Sequence, residues 1–315
     1  MKVLIAFTHG WFGGLGTYNH AIAFEFQKRG FEVDVWTLQG GNYLPYINKD
    51  CNLVKQPASK YDLIVVSNND VVKYLDENNI EGYRIYITHG VAYENDIPKA
   101  GMADEYVAVS PFTHSKVYER TDVPYVNYIP QGVDCERYKP TKPVSEKLTR
   151  VLSMVKSEEA NNMVKEACDR TGVELVKWYD NTSPTAVYDI PYVMNEVDAV
   201  VGWGRVVIET MACGRAPICF DINATVIKNS ETDYAGSFET STTLPGLILP
   251  ENIYRMGRCN FSLAAGYDPS FTVDRLLNSF KNYDPNLSMY YRNYAVNHYG
   301  IDLAVQRLLN LFNKK

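Results

Sequence analysis

Short apolar runs alternate with stretches of helical periodicity from the first residue onward. The apolar runs predict strands at 2–7, 31–38, 61–67, 84–89, 105–110 and 126–130. The 3.6-residue spacing between them predicts helices near 16–29, 69–79 and 111–121. Strands that alternate with helices in this way are typical of a parallel, doubly wound α/β sheet.

A polar segment, "QGVDCERYKPTKPVSEKLTR", interrupts the alternation and predicts a linker with a hinge around Pro140–Ser145. Beyond it the pattern predicts strands at 150–155, 173–179, 198–204 and 216–221, and helices near 158–171 and 205–213. We therefore expect two α/β domains, 1–140 and 141–290. The tail, 291–315, has helical spacing and predicts a closing helix that returns to the first domain.

Composition supports a folded two-domain protein: 315 residues, 46% hydrophobic and 22% charged. The net charge is −6, and neither side of Pro140 is basic, so charge gives no indication of nucleic-acid binding. The six cysteines form no C-x-x-C pair and no cluster with the five histidines, which predicts reduced thiols and no metal site. Without a signal-peptide core or an 18-residue apolar run, the expected location is cytoplasmic, with no transmembrane segment.

A glycine-rich loop, "THGWFGGLGTYNH", follows the first strand and opens the first helix. Gly13, Gly14 and Gly16 allow the backbone to approach a ligand, and the helix N-terminus offers N–H groups to an anion such as a diphosphate. The spacing is not G-x-G-x-x-G, which disfavours a dinucleotide site. The alternative is a tight turn in which glycine only relieves strain.

The fourth strand ends in "THGVAYEND", which places His89 at the carboxyl edge of the sheet. Ligands of open α/β sheets bind at that edge. An imidazole there can hydrogen-bond a sugar hydroxyl or a phosphate, or act as a base. The alternative is a structural histidine.

The stretch "GWGRVVIETMACG" predicts a helix between Gly204 and the stop signal Gly214. Arg205 and Glu209 lie four residues apart on one helical face, so they could form an ion pair worth a few tenths of a kcal/mol when exposed. The helix also begins at the carboxyl end of a strand. A carboxylate aimed at the ligand there can accept hydrogen bonds from the two vicinal hydroxyls of a ribose.

The chain resembles the GT-B glycosyltransferases, specifically the family 4 type. The similarity rests on "GGLGTY", "YVAVSPFTHSKV", "VNYIPQGVDCERYKP" and "DIPYVMNEVDAVVGWGRVVIETMACGRAPICFD", which occur in the expected order. The resemblance implies two Rossmann-like domains that face a cleft, and sugar transfer with retention of configuration. It makes 1–140 the acceptor domain and 141–290 the nucleotide-sugar domain. It makes Glu209 the second acid of an E-x7-E motif that binds the nucleotide ribose. It also places Gly14 and Gly16 near the donor diphosphate and His89 near the transferred sugar.

Two departures from the family pattern change this expectation. Val201 stands where the first acid of E-x7-E would be, so recognition of the sugar must differ. The usual basic pair after the first strand of the second domain is reduced to "MVKSEEANN". We therefore expect Lys156 and Arg205, with the loop from Gly13 to Gly16, to stabilise the leaving diphosphate.

The predicted catalytic residues are therefore His89, Lys156 and Arg205, and the predicted donor-binding residues are Gly13, Gly14, Gly16, Gly204 and Glu209. No D-x-D sequence occurs, which predicts a metal-independent enzyme, and no cofactor is expected beside a UDP- or GDP-sugar donor.

Two other functions stay open: a GT-B-like nucleotide-sugar epimerase, and a nucleotide-sugar-binding protein without turnover. A phosphorylase is disfavoured, because it would need a longer chain. The acceptor could be a glycan, a small metabolite or a hydroxylated DNA base.

Overall fold

The computed structural model describes residues 1–91, 93–155, 157–177, 189–220, 246–261 and 272–314. The chain divides into two compact units. Unit 1 comprises Met1–Asp134 and Gly300–Lys315, and unit 2 comprises Cys135–Tyr299. The chain leaves and re-enters unit 1 at one place, where the Ile301 N–H donates to the carbonyl of Val133 at 2.9 Å.

The first division falls after Asp134, not at the predicted residue 140. The segment predicted as a hinge, Pro140–Ser145, is hydrogen-bonded within unit 2: the Thr141 N–H donates to Asn195 Oδ1 at 2.8 Å. These residues therefore belong to the second fold unit and not to a free linker.

The second division falls after Tyr299, not at the predicted residue 290. A helix over 288–299 carries the chain through this region, and its residue Tyr291 is buried. The Tyr291 hydroxyl donates to the carbonyl of Ile248 at 2.6 Å. This bond ties the helix to unit 2.

Unit 1 is built on a seven-stranded sheet in which every pairing is parallel. Its strands are β1 Lys2–His9, β2 Glu32–Gln39, β3 Asn52–Leu53, β4 Lys60–Val66, β5 Glu81–Thr88, β6 Glu105–Ala108 and β7 Asn127–Tyr128. The order is β3-β2-β1-β4-β5-β6-β7, with β1, whose residues 3–8 are buried, near the centre. Strand order reverses between β1 and β4, which makes their carboxyl ends the switch point where doubly wound sheets bind ligands.

Unit 2 has a five-stranded sheet of order β12-β11-β10-β8-β9. Its strands are β8 Arg150–Ser153, β9 Glu174–Lys177, β10 Ala199–Gly202, β11 Ala216–Cys219 and β12 Gly246–Leu247. Only the β11–β12 pairing, among those described, is antiparallel.

Helices cover both sheets in the pattern of a doubly wound fold. Those of unit 1 are α1 Gly14–Lys28, α2 Leu44–Asp50, α3 Asn69–Glu77, α4 Pro111–Arg120 and α11 Ile301–Phe312. Those of unit 2 are α5 Glu158–Thr171, α6 Ile190–Asn195, α7 Arg205–Ala212, α8 Ile253–Gly257, α9 Val273–Lys281 and α10 Ser288–Tyr299.

Helix α11 is held against α1 by a guanidinium group. Arg29 donates to the carbonyl of Asp302 at 2.8 Å and to Gln306 Oε1 at 2.9 Å. The last helix of the chain is therefore a part of unit 1.

The predicted α/β class is confirmed, with differences at the ends of elements. The strand predicted at 126–130 is the two-residue β7, and the strand predicted at 173–179 is β9, with its last two residues outside the described part of the chain. The elements that the pattern did not predict are short: α2, β3, α6, α8, α9 and β12. Within the described ranges, every helix falls short of the length and apolarity that crossing a membrane requires.

Candidate functional site

Gly13, just before α1, and Gly16, in its first turn, have different surroundings. Gly13 precedes the helix with an extended φ of 162°, and a Cβ added to it would meet no described atom within 4 Å. A Cβ on Gly16 would lie 2.7 Å from the carbonyl oxygen of Trp11 and 3.3 Å from Cδ1 of Tyr43. Gly16 is therefore required by packing, whereas Gly13 leaves open space beside the backbone.

The N-terminus of α1 is suited to an anion. No side chain of the described residues caps it, and its first turn carries no acidic residue. Such a terminus presents N–H groups and a partial positive charge, and an anion beside it gains about 0.3–1 kcal/mol at an exposed site. The open space at Gly13 gives a ligand access to this terminus.

Next to this helix, a cavity of about 420 Å³ lies at the switch point of the sheet of unit 1. Leu15, in the first turn of α1, forms part of its wall. Ile87 and Tyr93 also line it. The other lining residues are polar and lie at the ends of β1, β4 and β5 or in the turns after them: Thr8, His9, Asn68, His89, Asn95 and Asp96. The uncapped N-terminus of α1 and this cavity are therefore neighbours.

His89 is held on both sides of its ring. Its Nε2 lies 3.2 Å from Ser67 Oγ, and the ring meets the ring of Tyr18 edge-on with 4.9 Å between centroids. These contacts fix the orientation of an imidazole that borders the cavity. The structure thus places His89 at the carboxyl edge of the sheet of unit 1.

Three buried polar atoms of the cavity wall have no hydrogen-bond partner among the described residues: Thr8 Oγ1, His9 Nδ1 and Asn68 Oδ1. Each such atom costs about 1–3 kcal/mol in a folded protein unless a ligand or solvent supplies a partner. A ligand with hydroxyl groups would satisfy them.

Asn68, in the turn between β4 and α3, has a backbone conformation that disfavours a side chain. Its φ is +81°, a region in which residues other than glycine are strained by about 1–3 kcal/mol. Its Nδ2 donates to Asp96 Oδ1. Burial raises the pKa of Asp96 to about 6, although this hydrogen bond acts in the opposite direction.

In unit 2, Arg205 and Glu209 form the ion pair that their spacing allows, and both are buried. Arg205 Nε donates to Glu209 Oε1 at 2.8 Å, and the two side chains are only 7% and 5% exposed. Burial raises the pKa of Glu209, while Arg205, Arg137 and Tyr138 favour the carboxylate. Because removal of one partner of a buried pair costs about 3–5 kcal/mol, this pair matters more to stability than an exposed one.

The turn from β10 into α7 depends on Gly204 and on a strained segment that the sequence did not reveal. Gly204 has φ +61° and ψ −130°, so a side chain there would be strained. Its N–H donates to the carbonyl of Phe261 at 2.8 Å. Asn260 and Phe261 both have positive φ, 54° and 52°, which is uncommon outside glycine.

Several solved structures share this architecture. The chain is similar to Anabaena Alr3699/HepE, solved with UDP and glucose (13% identity, 100% of both chains, TM-score 0.64). It is also similar to a Listeria monocytogenes protein with a proposed UDP-N-acetylglucosamine 2-epimerase activity (10% identity, 100% of this chain and 97% of that one, TM-score 0.58). A third is an α-glucosyltransferase solved with UDP and a 13-mer DNA containing an HMU base (13% identity, 99% of each chain, TM-score 0.57). No family model and no curated protein matches the chain.

The chain has the GT-B fold. Unit 1 is its N-terminal Rossmann-like domain and unit 2 its C-terminal one. At identities of 13% or below, the likeness shows the fold, and the resemblance to family 4 is not established by it.

The site residues predicted from the sequence fall into two groups, one in each unit. Gly13, Gly14 and Gly16 belong to the start of α1, close to the cavity that His89 borders. Gly204, Arg205 and Glu209 lie together at the start of α7. Lys156 lies outside the described residues.

The sequence interpretation missed Asn68 and Asp96, which are 28 residues apart and meet through two turns. The available signal was the polar run "SNND" directly after β4. None of the six cysteines forms a disulfide, and the described residues contain no cluster of histidine, cysteine or carboxylate side chains able to hold a metal ion. Metal independence stays a prediction.

Proposed function

We propose that this protein transfers a sugar from a nucleoside-diphosphate sugar to an acceptor hydroxyl. The observation that carries the proposal is the pairing, within unit 1, of an uncapped helix N-terminus at Gly13 with a polar cavity at the switch point. A nucleoside-diphosphate sugar can bind to both features. Its anionic diphosphate oxygens suit the helix N-terminus, and the hydroxyl groups of its sugar suit the polar cavity.

In this reaction the acceptor oxygen forms a bond to the anomeric carbon, and the bond from that carbon to the diphosphate oxygen breaks. Negative charge builds on the departing diphosphate. Groups oriented before the reaction stabilise that charge most effectively. We assign this role to the N–H groups at Gly13 and Gly14, to Arg205 and to Lys156, while His89 takes the proton of the acceptor hydroxyl.

We assign the nucleotide to unit 2, with Glu209 as the ribose-binding carboxylate and Gly204 at the start of the same helix. HepE and the α-glucosyltransferase were both solved with UDP, which supports a UDP-sugar over a GDP-sugar as the donor. The motifs of family 4 support retention of configuration at the anomeric carbon.

A second candidate is a nucleotide-sugar epimerase, which the similarity to the Listeria protein over the whole chain favours. An epimerase needs no acceptor. Incubation with the donor alone separates the two functions, because only an epimerase would then yield an isomerised sugar still attached to its nucleotide.

A thermal-shift panel tests the binding step. The ligands are UDP, GDP, UDP-glucose, UDP-N-acetylglucosamine and GDP-mannose, with adenosine monophosphate as the control. A ligand that binds only the folded protein stabilises it by about 2.7 kcal/mol at 100 times its Kd, so a true donor raises the melting temperature. A panel in which no uridine or guanosine compound exceeds the control would contradict the proposal.

A further inference from the structure

A groove of unit 1 lies apart from the cavity at the switch point. It has a volume of about 610 Å³ and follows the β7 edge of the sheet. Its lining residues come from α4, from the segment 125–129 that contains β7, and from α11 with the turn after it. The groove and the switch-point cavity share no described lining residue, so the proposed reaction does not explain the groove.

The groove is positively charged in a protein whose net charge is −6. Arg307 and Lys314 line it, and no aspartate or glutamate does so among the described residues. Both cations are exposed, and neither has an ion-pair or hydrogen-bond partner in the described part of the chain. Glu105 of β6 is not part of the wall, and its carboxylate accepts from Asn127 Nδ2 at 2.8 Å. The wall therefore suits an anionic ligand.

The two cations have a defined spacing. The chain keeps a helical path beyond the end of α11, because the Asn313 N–H donates to the carbonyl of Leu309 and the Lys314 N–H to that of Leu311. Seven residues of helical rise separate Arg307 from Lys314 by about 10 Å along the helix axis. The groove thus suits a ligand that carries at least two separated acidic groups.

Three tyrosines present flat rings to the same groove. Tyr118, Tyr125 and Tyr128 are 41%, 61% and 42% exposed. Tyr118 is held in place: its hydroxyl accepts from the Val126 N–H at 3.1 Å, and its ring meets that of His114 edge-on with 5.0 Å between centroids. The α4 side of the groove is therefore fixed before a ligand arrives.

Rings and cations together indicate the class of ligand. Tyrosine combines an apolar ring face with a polar hydroxyl, so it can pack against a sugar ring and bond to its hydroxyl groups. Arginine and lysine pair with carboxylate, sulfate or phosphate substituents. An oligosaccharide with acidic groups on every sugar, or on alternate sugars, has both features.

Three other anionic partners fit the groove less well. An acidic peptide that extends the sheet would need a longer edge than the two-residue β7. A nucleic acid binds through many phosphates, and the described wall offers two cations besides a histidine. A membrane surface needs an exposed apolar helical face, whereas the apolar residues Leu308 and Leu311 of α11 are buried.

We propose that this groove is a second carbohydrate site, which binds an anionic oligosaccharide. The sugar rings pack on Tyr118, Tyr125 and Tyr128. Acidic groups on separate sugars pair with Arg307 and Lys314. The inference goes beyond the proposed function, because it concerns a glycan held away from the switch-point cavity and does not require that the protein transfer a sugar.

The test is isothermal titration without any nucleotide. The anionic glycans are tetragalacturonate and a chondroitin sulfate tetrasaccharide, and fully methyl-esterified tetragalacturonate is the neutral match. A tetraglutamate peptide, a single-stranded thymidine tetranucleotide and phosphatidylserine vesicles represent the other anionic partners. Wild-type protein should bind at least one anionic glycan about tenfold more tightly than the ester and than any of these three. Binding of neither anionic glycan, equal binding of the ester, or tighter binding of another anionic partner overturns the proposal.

Two charge variants locate the binding. Arg307→Gln and Lys314→Gln each remove one cation, and because both side chains are exposed without a described partner, neither change should affect folding. The matched controls are Arg255→Gln on α8 and Lys55→Gln, which remove exposed cations elsewhere. We expect about a three- to fivefold loss of affinity in each test variant and none in the controls. Wild-type affinity in both test variants, or equal losses in the controls, contradicts the assignment.

A ring variant tests the aromatic part of the site. Tyr125→Ala removes a ring that is 61% exposed, and Tyr254→Ala, at a tyrosine of unit 2 that is 76% exposed, is its control. Tyr125→Ala should weaken glycan binding about fivefold and keep the salt dependence of the wild type, whereas Arg307→Gln should reduce that dependence. Unchanged affinity in Tyr125→Ala, or the same salt dependence in Arg307→Gln, counts against the proposed contacts.

The outcome is separable from that of the proposed function. The test variants should keep the thermal shift that nucleotide sugars produce, because none of the substituted residues lines the switch-point cavity. A protein that binds nucleotide sugars but neither anionic tetrasaccharide retains the proposed function and loses this inference. A protein that binds a tetrasaccharide through Arg307 and no nucleotide sugar retains the glycan site and loses the transferase.

Discussion

Two buried carboxylates of unit 2 differ in how their charge is satisfied. Glu209 is paired with Arg205, and burial raises its pKa although Arg205, Arg137 and Tyr138 act in the opposite direction. Asp198 is 4% exposed and accepts from the N–H groups of Ser145, Thr149 and Arg150. Burial acts to raise the pKa of Asp198, but its hydrogen bonds outweigh burial and hold the pKa below 3.8. We therefore propose that Glu209 binds a ligand, whereas Asp198 has a structural role.

For Glu209 the informative substitution is Glu209→Gln. Removal of the whole side chain would leave Arg205 buried without its partner, which confounds binding with stability. The amide keeps an oxygen for Arg205 and loses the charge that we assign to ribose binding. We expect nucleotide affinity to fall by about 1–3 kcal/mol, or about 5- to 150-fold, in isothermal titration.

The matched control is Glu196→Gln, a carboxylate of the same unit whose ion pair with Lys142 is at the surface. It should bind nucleotide as the wild type does. Unchanged affinity in Glu209→Gln would remove this residue from the proposed site.

Asp198→Asn should destabilise the protein. An amide replaces one acceptor oxygen with a donor that faces N–H groups, and the loss should be about 1–3 kcal/mol in urea unfolding. Asp169→Asn, at an exposed ion pair, should change stability by less than about 1 kcal/mol. Similar losses in the two variants would show that the buried hydrogen bonds do not matter.

The pH dependence of Asp198 has a defined sign. Its pKa is lower in the folded protein than the ordinary 3.8, so its contribution is complete above that value and is lost as the pH falls through the folded pKa. The difference in unfolding free energy between wild type and Asp198→Asn should therefore shrink below about pH 4. A difference that stays constant down to pH 2 would contradict this role.

On the scale of elements, the N-terminus of α1 is the feature on which the diphosphate assignment depends. Gly13→Val would place a side chain in the open space beside it, where an added Cβ meets no described atom. We expect nucleotide-sugar binding to weaken at least tenfold, while stability changes by about 1 kcal/mol or less.

Gly40→Val is the control, because Gly40 follows β2 and also has no described atom within 4 Å of an added Cβ. It should bind nucleotide sugars as the wild type does. Retained binding in Gly13→Val, measured by the same titration, would place the diphosphate elsewhere.

Most strands and the longer helices could be predicted from the sequence, whereas several short elements could not. Strand β1 and helix α1 carry a clear apolar period, whereas the seven-residue α2 and the two-residue β3 are too short to show one. The residues of the candidate site also differ in how far the sequence alone could predict them. The glycine loop and the Arg205–Glu209 spacing are local patterns, but the Asn68–Asp96 pair depends on two turns that only the folded sheet brings together.

On the scale of the whole molecule, the net charge of −6 opposes the binding of an anionic donor. Local groups must therefore provide the attraction. Our assignments give this task to backbone N–H groups at α1 and to Arg205 and Lys156, while the described wall of the unit 1 cavity has no lysine or arginine. Each Rossmann-like unit thus has a separate part in the proposed reaction.

The most direct test is product analysis by NMR after incubation with UDP-glucose, with and without a sugar acceptor. The account predicts a new glycosidic anomeric signal only when the acceptor is present, with release of one UDP per bond formed. An isomerised sugar still attached to UDP would contradict transfer in favour of epimerisation. Tight binding of the donor with neither product, across UDP- and GDP-sugars and a broad set of acceptors, would show a binding protein without turnover.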